Sequence, residues 1–174
     1  MSEKYIVNNG DELRKIIKNR CDNCDCDILD VSDLNVSNVI DMSRVFDDCE
    51  YIKEIKGLET WDTSKVKNMS YMFNDCVSLT KLDVSHFNTS NVVNMCGMFN
   101  GCLSITKLDL SNFDTSNVKD MSSMFKICES LESLNLSNFN ASNAENMKHM
   151  FKGCKTLVSL KCDNKQISYL YLFA

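Results

Sequence analysis

Three cysteines near the start of the chain, Cys21, Cys24 and Cys26, have the spacing of a metal or thiol-redox cluster. Zinc needs four ligands in a tetrahedral cage, and no second Cys-x-x-Cys or nearby histidine completes the set. Cys26 also lies close to the register of Leu79, which the repeat described below places inward. We therefore interpret the cluster as packing of an N-terminal cap and predict no metal and no cofactor. A metal-binding or thiol-redox protein is the alternative.

A second series of cysteines recurs at one position of a repeat: Cys49, Cys76, Cys102, Cys128 and Cys154. Each ends an apolar stripe, where a small and readily buried side chain fits. Disulfides between copies need α-carbons about 5.5 Å apart, and helices on the outer side of a repeat would hold them further apart. The sequence predicts reduced thiols, with Cys96 as the best candidate for an exposed, reactive one.

The two histidines give no catalytic grouping. His86 and His149 occupy positions that hold Asn112 and Ser123 in other copies, so we expect both to be solvated. No Ser-His-Asp or Cys-His arrangement can be built from them. We predict that the chain is not an enzyme.

A polar stripe recurs between the apolar positions of the predicted strands. Carboxylates stacked about 5 Å apart repel one another and need either good solvation or a partner. The stripe is therefore either the hydrated face of a copied repeat or a surface for a basic or amide-rich protein partner. The candidate partner-binding residues are Asp30, Lys81, Asp83, Ser85, Lys107, Asp109, Ser111 and Asn135.

Composition limits the classes of partner. The chain has 174 residues, 44% of them hydrophobic, and carries 24 acidic against 19 basic residues for a net charge of -5. This sign disfavours nucleic acid, which is bound by basic faces. No apolar run approaches the length of a membrane-spanning helix, so we predict no membrane insertion.

The candidate residues are positioned by a repeat of about 26 residues. Its clearest column is Phe46, Phe73, Phe99, Phe125 and Phe151, spaced 27 residues once and then 26. Nine of the ten methionines fall in two further columns. Copying of one unit therefore explains the composition, and each copy must stack on its neighbours to bury its apolar side.

Each copy reads as a turn, a short helix and a short strand. Val92, Met95 and Phe99 follow a helical spacing, and Leu108 and Leu110 alternate with polar residues as in a strand. We predict an α/β repeat solenoid, an arc with short parallel strands on its inner face and short helices on its outer face. One extra residue between the first two copies predicts a bulge near Gly57.

The ends depart from the repeat. The segment "DELRKIIKNR" places Leu13, Ile16 and Ile17 on one helical face, where a previous copy would stand. We predict a cap of strand, turn and helix over residues 1–27, about five repeats over residues 28–162, and a capping strand over residues 163–174.

The stretch "MFNGCLSITKLDLSNFDTSNVKDMSSMFKICESLESLNLSNF" (98–139) resembles the BspA-like leucine-rich repeat surface proteins. That family is described by Met-Phe-x-x-Cys-x-x-Leu and Leu-Asp-Leu-Ser-x-Phe-Asp-Thr-Ser-x-Val, and the match runs from about Ile28 to Cys162. The resemblance implies a leucine-rich repeat arc without catalytic residues. It also implies attachment to proteins of host or neighbouring cells.

We therefore predict a noncatalytic module that binds a protein through the inner strand face, in the manner of an adhesin. A structural fragment of a larger surface protein is a further alternative. The location stays open, because the family suggests the cell surface or secretion. The absence of an export signal and the abundance of unpaired cysteines suggest the cytoplasm instead.

Overall fold

The α-helices of the described chain lie at its two ends. The computed structural model describes residues 4–23 and 26–172. Strand β1 (Tyr5–Ile6) and helix α1 (Gly10–Asn23) come first, and helix α2 (Lys165–Leu172) comes last. The short strands between them are β2 (Ile28–Asp30), β3 (Leu34–Asn35), β4 (Glu54–Lys56), β5 (Lys107–Asp109), β6 (Ser133–Asn135) and β7 (Ser159–Lys161).

Most strands pair in parallel with a strand one repeat away. Leu29 of β2 stands beside Ile55 of β4, and Leu108, Leu134 and Leu160 stand in line across β5, β6 and β7. The predicted short parallel strands are confirmed. We number the coils by these segments: coil 1 holds β2, coil 2 β4, coil 3 residues 81–84, coil 4 β5, coil 5 β6 and coil 6 β7.

The segments that carry the Met-Phe-x-x-Cys motif are stacked turns, so the predicted outer helices are wrong. Alternate amides bond to the next coil: Phe73 N donates to Met98 O at 2.9 Å. The amides between them close turns within their own coil, as Asn74 N does to Tyr71 O at 3.1 Å. Tyr71 and Asp75 have φ values of 57° and 52°, outside the right-handed helical region.

The spacing of apolar residues by three and four suits this turn series as well as a helix. Glycine distinguishes the turn series from a helix, because it favours left-handed backbone: Gly97, Gly101 and Gly153 have φ of 60°, 74° and 85°. Gly101 is also confined, because a Cβ there would lie 2.0 Å from an oxygen of Asp75. Without outer helices, the physical argument for the predicted arc no longer applies.

Aromatic rings of neighbouring coils stack in one column. Ring centroids of Phe46, Phe73, Phe99, Phe125 and Phe151 follow one another at 5.1 to 5.8 Å, with planes within 9° of parallel. Four methionines, Met69, Met72, Met95 and Met98, illustrate the flanking columns and are fully buried. The Met and Phe columns are therefore core, as predicted.

Helix α1 covers the first coil. Leu13 and Ile17 are fully buried, and the Arg14 guanidinium donates to Ser43 O at 2.8 Å. The helix begins where Asn9 Oδ1 accepts a hydrogen bond from the Glu12 amide at 3.0 Å. It therefore stands beside the Met-Phe segment of coil 1, in the place expected for the cap helix.

The last coil is covered by helix α2, where the sequence analysis expected a strand. Asn164 Oδ1 accepts hydrogen bonds from the Gln166 and Ile167 amides at 3.0 and 3.2 Å, which caps the helix. Ile167 is fully buried, and the Tyr171 hydroxyl donates to Leu157 O at 2.6 Å. Asparagine before apolar residues four apart is a helix signal that the β-branched and aromatic content of this segment obscures.

The extra residue of coil 2 is absorbed by a 3₁₀ turn, Leu58–Thr60. Gly57 precedes it with φ of 92°, and a Cβ at Gly57 would lie 2.3 Å from Ser32 N. The predicted β-bulge near Gly57 is wrong, because a left-handed glycine followed by a 3₁₀ turn occupies this place.

Buried threonines link the coils by hydrogen bonds to the backbone amide and carbonyl of one residue in the next coil, the residue just before the next position of the threonine column. The Thr89 hydroxyl donates to Asp114 O at 3.0 Å and accepts from Asp114 N at 2.8 Å. Thr63 and Thr115 make the same pair of bonds, and all three threonines are at most 2% exposed.

Replacing this hydroxyl should destabilise the stack. We expect Thr89→Val to lower the free energy of unfolding by about 1–3 kcal/mol, because the amide and the carbonyl of Asp114 both lose their partner. Thr80→Val is the matched control, since the Thr80 hydroxyl donates to Lys53 O from an exposed position, and should cost less than about 0.5 kcal/mol. If urea denaturation gave the same loss of unfolding free energy for Thr89→Val and Thr80→Val, the buried Thr89 hydroxyl would have no special role in joining the coils.

Candidate functional site

The exposed face of the strand layer, named here the strand face, contains all eight predicted site residues. Five of its charged members are exposed: Asp30, Lys81, Asp83, Lys107 and Asp109. Ser85 is also exposed, and Ser111 and Asn135 are half-buried. The sequence pattern therefore places these side chains on one surface, and their role in binding stays a prediction.

Each strand-face aspartate forms a turn with the serine two residues later. Asp83 Oδ1 accepts from the Ser85 amide at 2.9 Å, and Asp109 Oδ1 accepts from the Ser111 amide at 2.9 Å. In coil 5 an asparagine, Asn135, accepts the equivalent bond from its serine. The serines predicted to contact a partner thus hold the aspartates in place, and asparagine can substitute in the turn.

These bonds stabilise the charged carboxylates. Hydrogen bonds from the hydroxyl and the amide of Ser85 lower the pKa of Asp83, and those from Ser111 lower the pKa of Asp109. For Asp30 the backbone amide two residues later is the largest cause of the lowered pKa. The carboxylates are therefore ionised at neutral pH.

Sequence reasoning missed two members of the strand face, Glu54 and Lys56 in coil 2. Lys56 stands beside Asp30 in the parallel ladder, and Glu54 bridges to Lys81 of coil 3 with 3.7 Å between the charged atoms. Coil 2 has one extra residue, so Glu54 and Lys56 do not fall at the 26-residue spacing that identified the other strand-face residues. The polar-apolar-polar run of Glu54–Lys56 was the available signal.

The predicted stack of carboxylates is therefore interrupted. Lys56 lies between the coils of Asp30 and Asp83 and faces Asp30 with the opposite charge. Among the described strand positions, like charges occupy equivalent places only in coils 3 and 4, where Lys107 follows Lys81 and Asp109 follows Asp83 one repeat later.

One serine, histidine and aspartate lie close together in coil 3, which sequence reasoning did not anticipate. Ser85 Oγ lies 3.2 Å from His86 Nδ1, and Asp83 accepts from the Ser85 amide. In a catalytic triad the carboxylate must orient the histidine. Here it binds the serine instead, and all three residues are exposed, so the grouping is a solvated turn.

Cys21 and Cys26 are disulfide-bonded. The prediction of reduced thiols for the repeat column is wrong for its first member, Cys49. Cys21 of α1 is bonded to Cys49 of coil 1, with α-carbons 5.7 Å apart. Cys26 is also disulfide-bonded, and Cys24 lies outside the described residues. The prediction considered only disulfides between cysteines of neighbouring repeats. The helical cap instead brings Cys21 within bonding distance of Cys49, the first cysteine of the repeats.

No metal centre is formed by the residues that the structure describes: none of their His, Cys, Asp and Glu side chains form a group of three suited to an ion. Cys21 has no thiolate to offer a metal while its disulfide is intact.

The later cysteines of the column are packed in the core, as predicted, and also donate hydrogen bonds. Cys76 Sγ lies 3.1 Å from Phe46 O, and Cys102 Sγ lies 3.2 Å from Phe73 O, one coil earlier. Burial raises the pKa of both thiols, so they stay protonated. Cys49 lies in the first repeat, so no earlier repeat offers a phenylalanine carbonyl to its thiol. It forms the disulfide with Cys21 instead.

Cys96 is not the exposed thiol that was predicted. It is half-buried, with Sγ 3.3 Å from the Tyr71 hydroxyl and 3.2 Å from Ser122 Oγ. The guanidinium of Arg44 lies 4.5 Å above the Tyr71 ring. Turns bring residue 96 against its neighbours where a helix would have pointed it outward.

The parallel strands, the repeated columns and the capped ends define a leucine-rich repeat protein. The sequence profile of the family described as "Mycoplasma protein of unknown function, DUF285" matches residues 15–107 and 81–166. The chain belongs to this family. The resemblance to BspA-like leucine-rich repeat proteins is thereby confirmed. No functionally curated protein matches the chain.

Two solved structures match the chain. A leucine-rich repeat protein of T. pallidum matches with a TM-score of 0.51 and 23% identity, over 79% of this chain and 57% of that one. A leucine-rich cell surface protein of F. prausnitzii matches with a TM-score of 0.46 and 15% identity, over 84% of this chain and 41% of that one. The chain thus spans about half the length of these proteins, and the first likeness establishes the fold. Of the helices that the structure describes, none could span a bilayer.

The lowered aspartate pKa values predict an acid-sensitive fold. A carboxyl whose pKa is lower in the folded state stabilises the protein above the unfolded pKa of about 3.9 and loses this contribution as pH falls through the folded value. The melting temperature should therefore fall as the pH is lowered below the unfolded pKa of about 3.9. The Asp83→Asn, Asp109→Asn double variant should flatten this acid limb, because asparagine keeps the turn without titrating. If the melting temperature of the double variant fell with pH as steeply as that of the wild type, Asp83 and Asp109 would not be the source of the acid sensitivity.

Proposed function

We propose that this chain is a noncatalytic protein-binding module that recognises its partner through the strand face. The fold supports the general role, because stacked repeats present extended surfaces that suit protein recognition. The residues proposed for contact are Asp30, Lys81, Asp83, Ser85, Lys107, Asp109, Ser111 and Asn135.

Unmatched charge between coils 3 and 4 carries the proposal. At three other places, charges of neighbouring coils form ion pairs: Lys53 lies 2.9 Å from Asp27, and Lys119 and Lys155 pair with acids of the next or previous coil. On the strand face, Lys81 is followed by Lys107 and Asp83 by Asp109. Within the described chain, Lys107, Asp83 and Asp109 form no ion pair within 4 Å.

The same aspartates are preorganised for contact. Each is fixed to its own turn by the amide of the serine two residues later, so a partner would meet charges that are already oriented. Preorganisation lowers the entropic cost of association. A hydrated face alone does not require like charges to be held side by side.

Comparative capture would test the surface. Immobilised wild-type chain and the Asp83→Asn, Asp109→Asn double variant are exposed to extracts of producing cells and of host or neighbouring cells, and retained proteins are identified by mass spectrometry. We expect a protein captured by the wild type to fall about tenfold with the variant, as lost charge contacts weaken binding.

The matched control is Asp62→Asn with Asp114→Asn. These aspartates form the same turn with Ser64 and Ser116, away from the strand face, and the charge change is equal. The control should capture like the wild type. Equal capture by all three proteins would rule out the strand face as the binding surface.

We also infer that the module acts in oxidising surroundings, as at a cell surface. The Cys21–Cys49 disulfide closes a sequence separation of 28 residues, which stabilises a fold by about 3.5 kcal/mol. Disulfides of this kind persist outside the reducing cytoplasm. The free thiols Cys76, Cys102 and Cys128 are buried, so their presence is compatible with such an environment.

Thiol trapping would test this location. Cells that carry the protein are quenched in acid and alkylated before and after reduction, and the Cys21 and Cys49 peptides are compared. We expect both cysteines to be protected until reduction, with Cys102 labelled in either case after denaturation as the internal control. Labelling of Cys21 and Cys49 without reduction would place the native protein in reducing surroundings.

A further inference from the structure

The strand layer is interrupted between coils 3 and 4. The strands form separate sheets, β2 with β4 and β5 with β6 and β7. Within these described segments, no backbone hydrogen bond joins residues 80–84 to residues 106–110. At the equivalent place between coils 4 and 5, the Glu132 and Ser133 amides both donate to Thr106 O, at 2.8 and 3.2 Å.

The interruption is local. Before the strand, Ser104 Oγ donates to Val77 O at 2.7 Å, and after it Asn112 Nδ2 donates to Val84 O at 3.1 Å. On the turn side coils 3 and 4 stay in contact, with Met95 N donating to Asp120 O at 2.8 Å. Only the strand segments themselves lack their ladder.

Like charges occupy equivalent positions on the two sides of the missing ladder. Lys81 and Lys107 occupy equivalent positions, as do Asp83 and Asp109, and like charges facing one another across strands are destabilising. The paired strands lack this conflict: Asp30 faces Lys56 in β2 and β4. In β5 and β6, Asp109 faces the neutral Asn135.

We propose that the interruption is the centre of the binding site and that its ligand is an extended segment of a partner protein with an acidic and a basic residue two positions apart. This rests on the protein-binding function proposed above. The acid would lie between Lys81 and Lys107 and the base between Asp83 and Asp109. Each partner charge would relieve one repulsion, so binding and closure of the strand layer favour one another.

The spacing of the partner's charges follows from strand geometry. Lys81 and Asp83 are two residues apart in one extended segment, as are Lys107 and Asp109, and such side chains point the same way about 6.6–6.8 Å apart. A second extended segment lying along this direction matches the two sites only through residues i and i+2. Adjacent residues point to opposite faces and can engage one site at a time.

Two peptides of equal composition test the spacing. Acetyl-Thr-Glu-Thr-Lys-Thr-amide carries the charges two positions apart, and acetyl-Thr-Thr-Glu-Lys-Thr-amide carries them on adjacent residues. In NMR titrations followed at the amides of residues 81–84 and 107–109, we expect the first peptide to bind about tenfold more tightly, since it makes one more set of charge contacts. Equal affinity would overturn the proposal.

Inorganic phosphate separates a protein segment from a simple anion. If phosphate alone produced the same shifts at all of these amides and abolished the difference between the peptides, the lysine pair would be an anion site and the proposal would be wrong. We expect phosphate to affect the surroundings of Lys81 and Lys107 and to leave those of Asp83 and Asp109 unchanged.

The Lys107→Glu, Asp109→Asn variant tests the cause of the interruption. It removes the like-charge pairs at Lys81 and Lys107 and at Asp83 and Asp109. Asparagine at position 109 keeps a side-chain oxygen to accept the hydrogen bond of the Ser111 amide. We expect amide hydrogen exchange at residues 82–84 and 106–108 to slow at least about tenfold and the peptide preference to disappear. Unchanged exchange would contradict the electrostatic cause.

If the peptides bind equally but the Asp83→Asn, Asp109→Asn variant still loses its captured protein, the ligand proposal fails while the strand-face function stands.

Discussion

Backbone hydrogen bonding between coils one repeat apart is the constraint on which the rest of the structure depends. In the Met-Phe segments, alternate amides donate to the next coil while the others close local turns. Two residues per coil adopt left-handed φ to allow this alternation. A helix would have used those amides internally, and its greater width would have separated the coils. The turns instead let rings, thiols and hydroxyls of neighbouring coils contact one another directly.

Because every coil meets a copy of itself, each column carries one type of interaction. Phenylalanine rings stack on phenylalanine rings, cysteine thiols donate to the carbonyl of the previous phenylalanine, and threonine hydroxyls bridge to the next coil. The strictness of the repeat thus reflects hydrogen bonding as well as volume. At the N-terminal end, where no earlier repeat exists, a helix and the Cys21–Cys49 disulfide take over. At the other end, Asn164 starts a helix whose Ile167 completes the core.

The part of the strand face between coils 3 and 4 departs from this pattern. Acids and bases of neighbouring coils neutralise one another at Asp27 and Lys53 or at Glu54 and Lys81, yet Lys107, Asp83 and Asp109 have like neighbours and no ion pair among the described residues. The backbone ladder stops at the same place. In the binding proposed for this surface, a partner would supply the interactions that are missing between these two segments.

The sequence by itself determined the repeat period, the buried columns, the parallel strands and the surface on which the polar residues lie. Apolar periodicity reports which side chains are buried, and that information is local. Tertiary structure decided the rest: turns in place of helices, the pairing of Cys21 with Cys49, the burial of Cys96, and the position of Lys56 between the coils of Asp30 and Asp83. An amide or a thiol acquires its partner from whichever segment is its neighbour in space. That neighbour depends on how the coils stack, which the spacing of apolar residues along one coil does not specify.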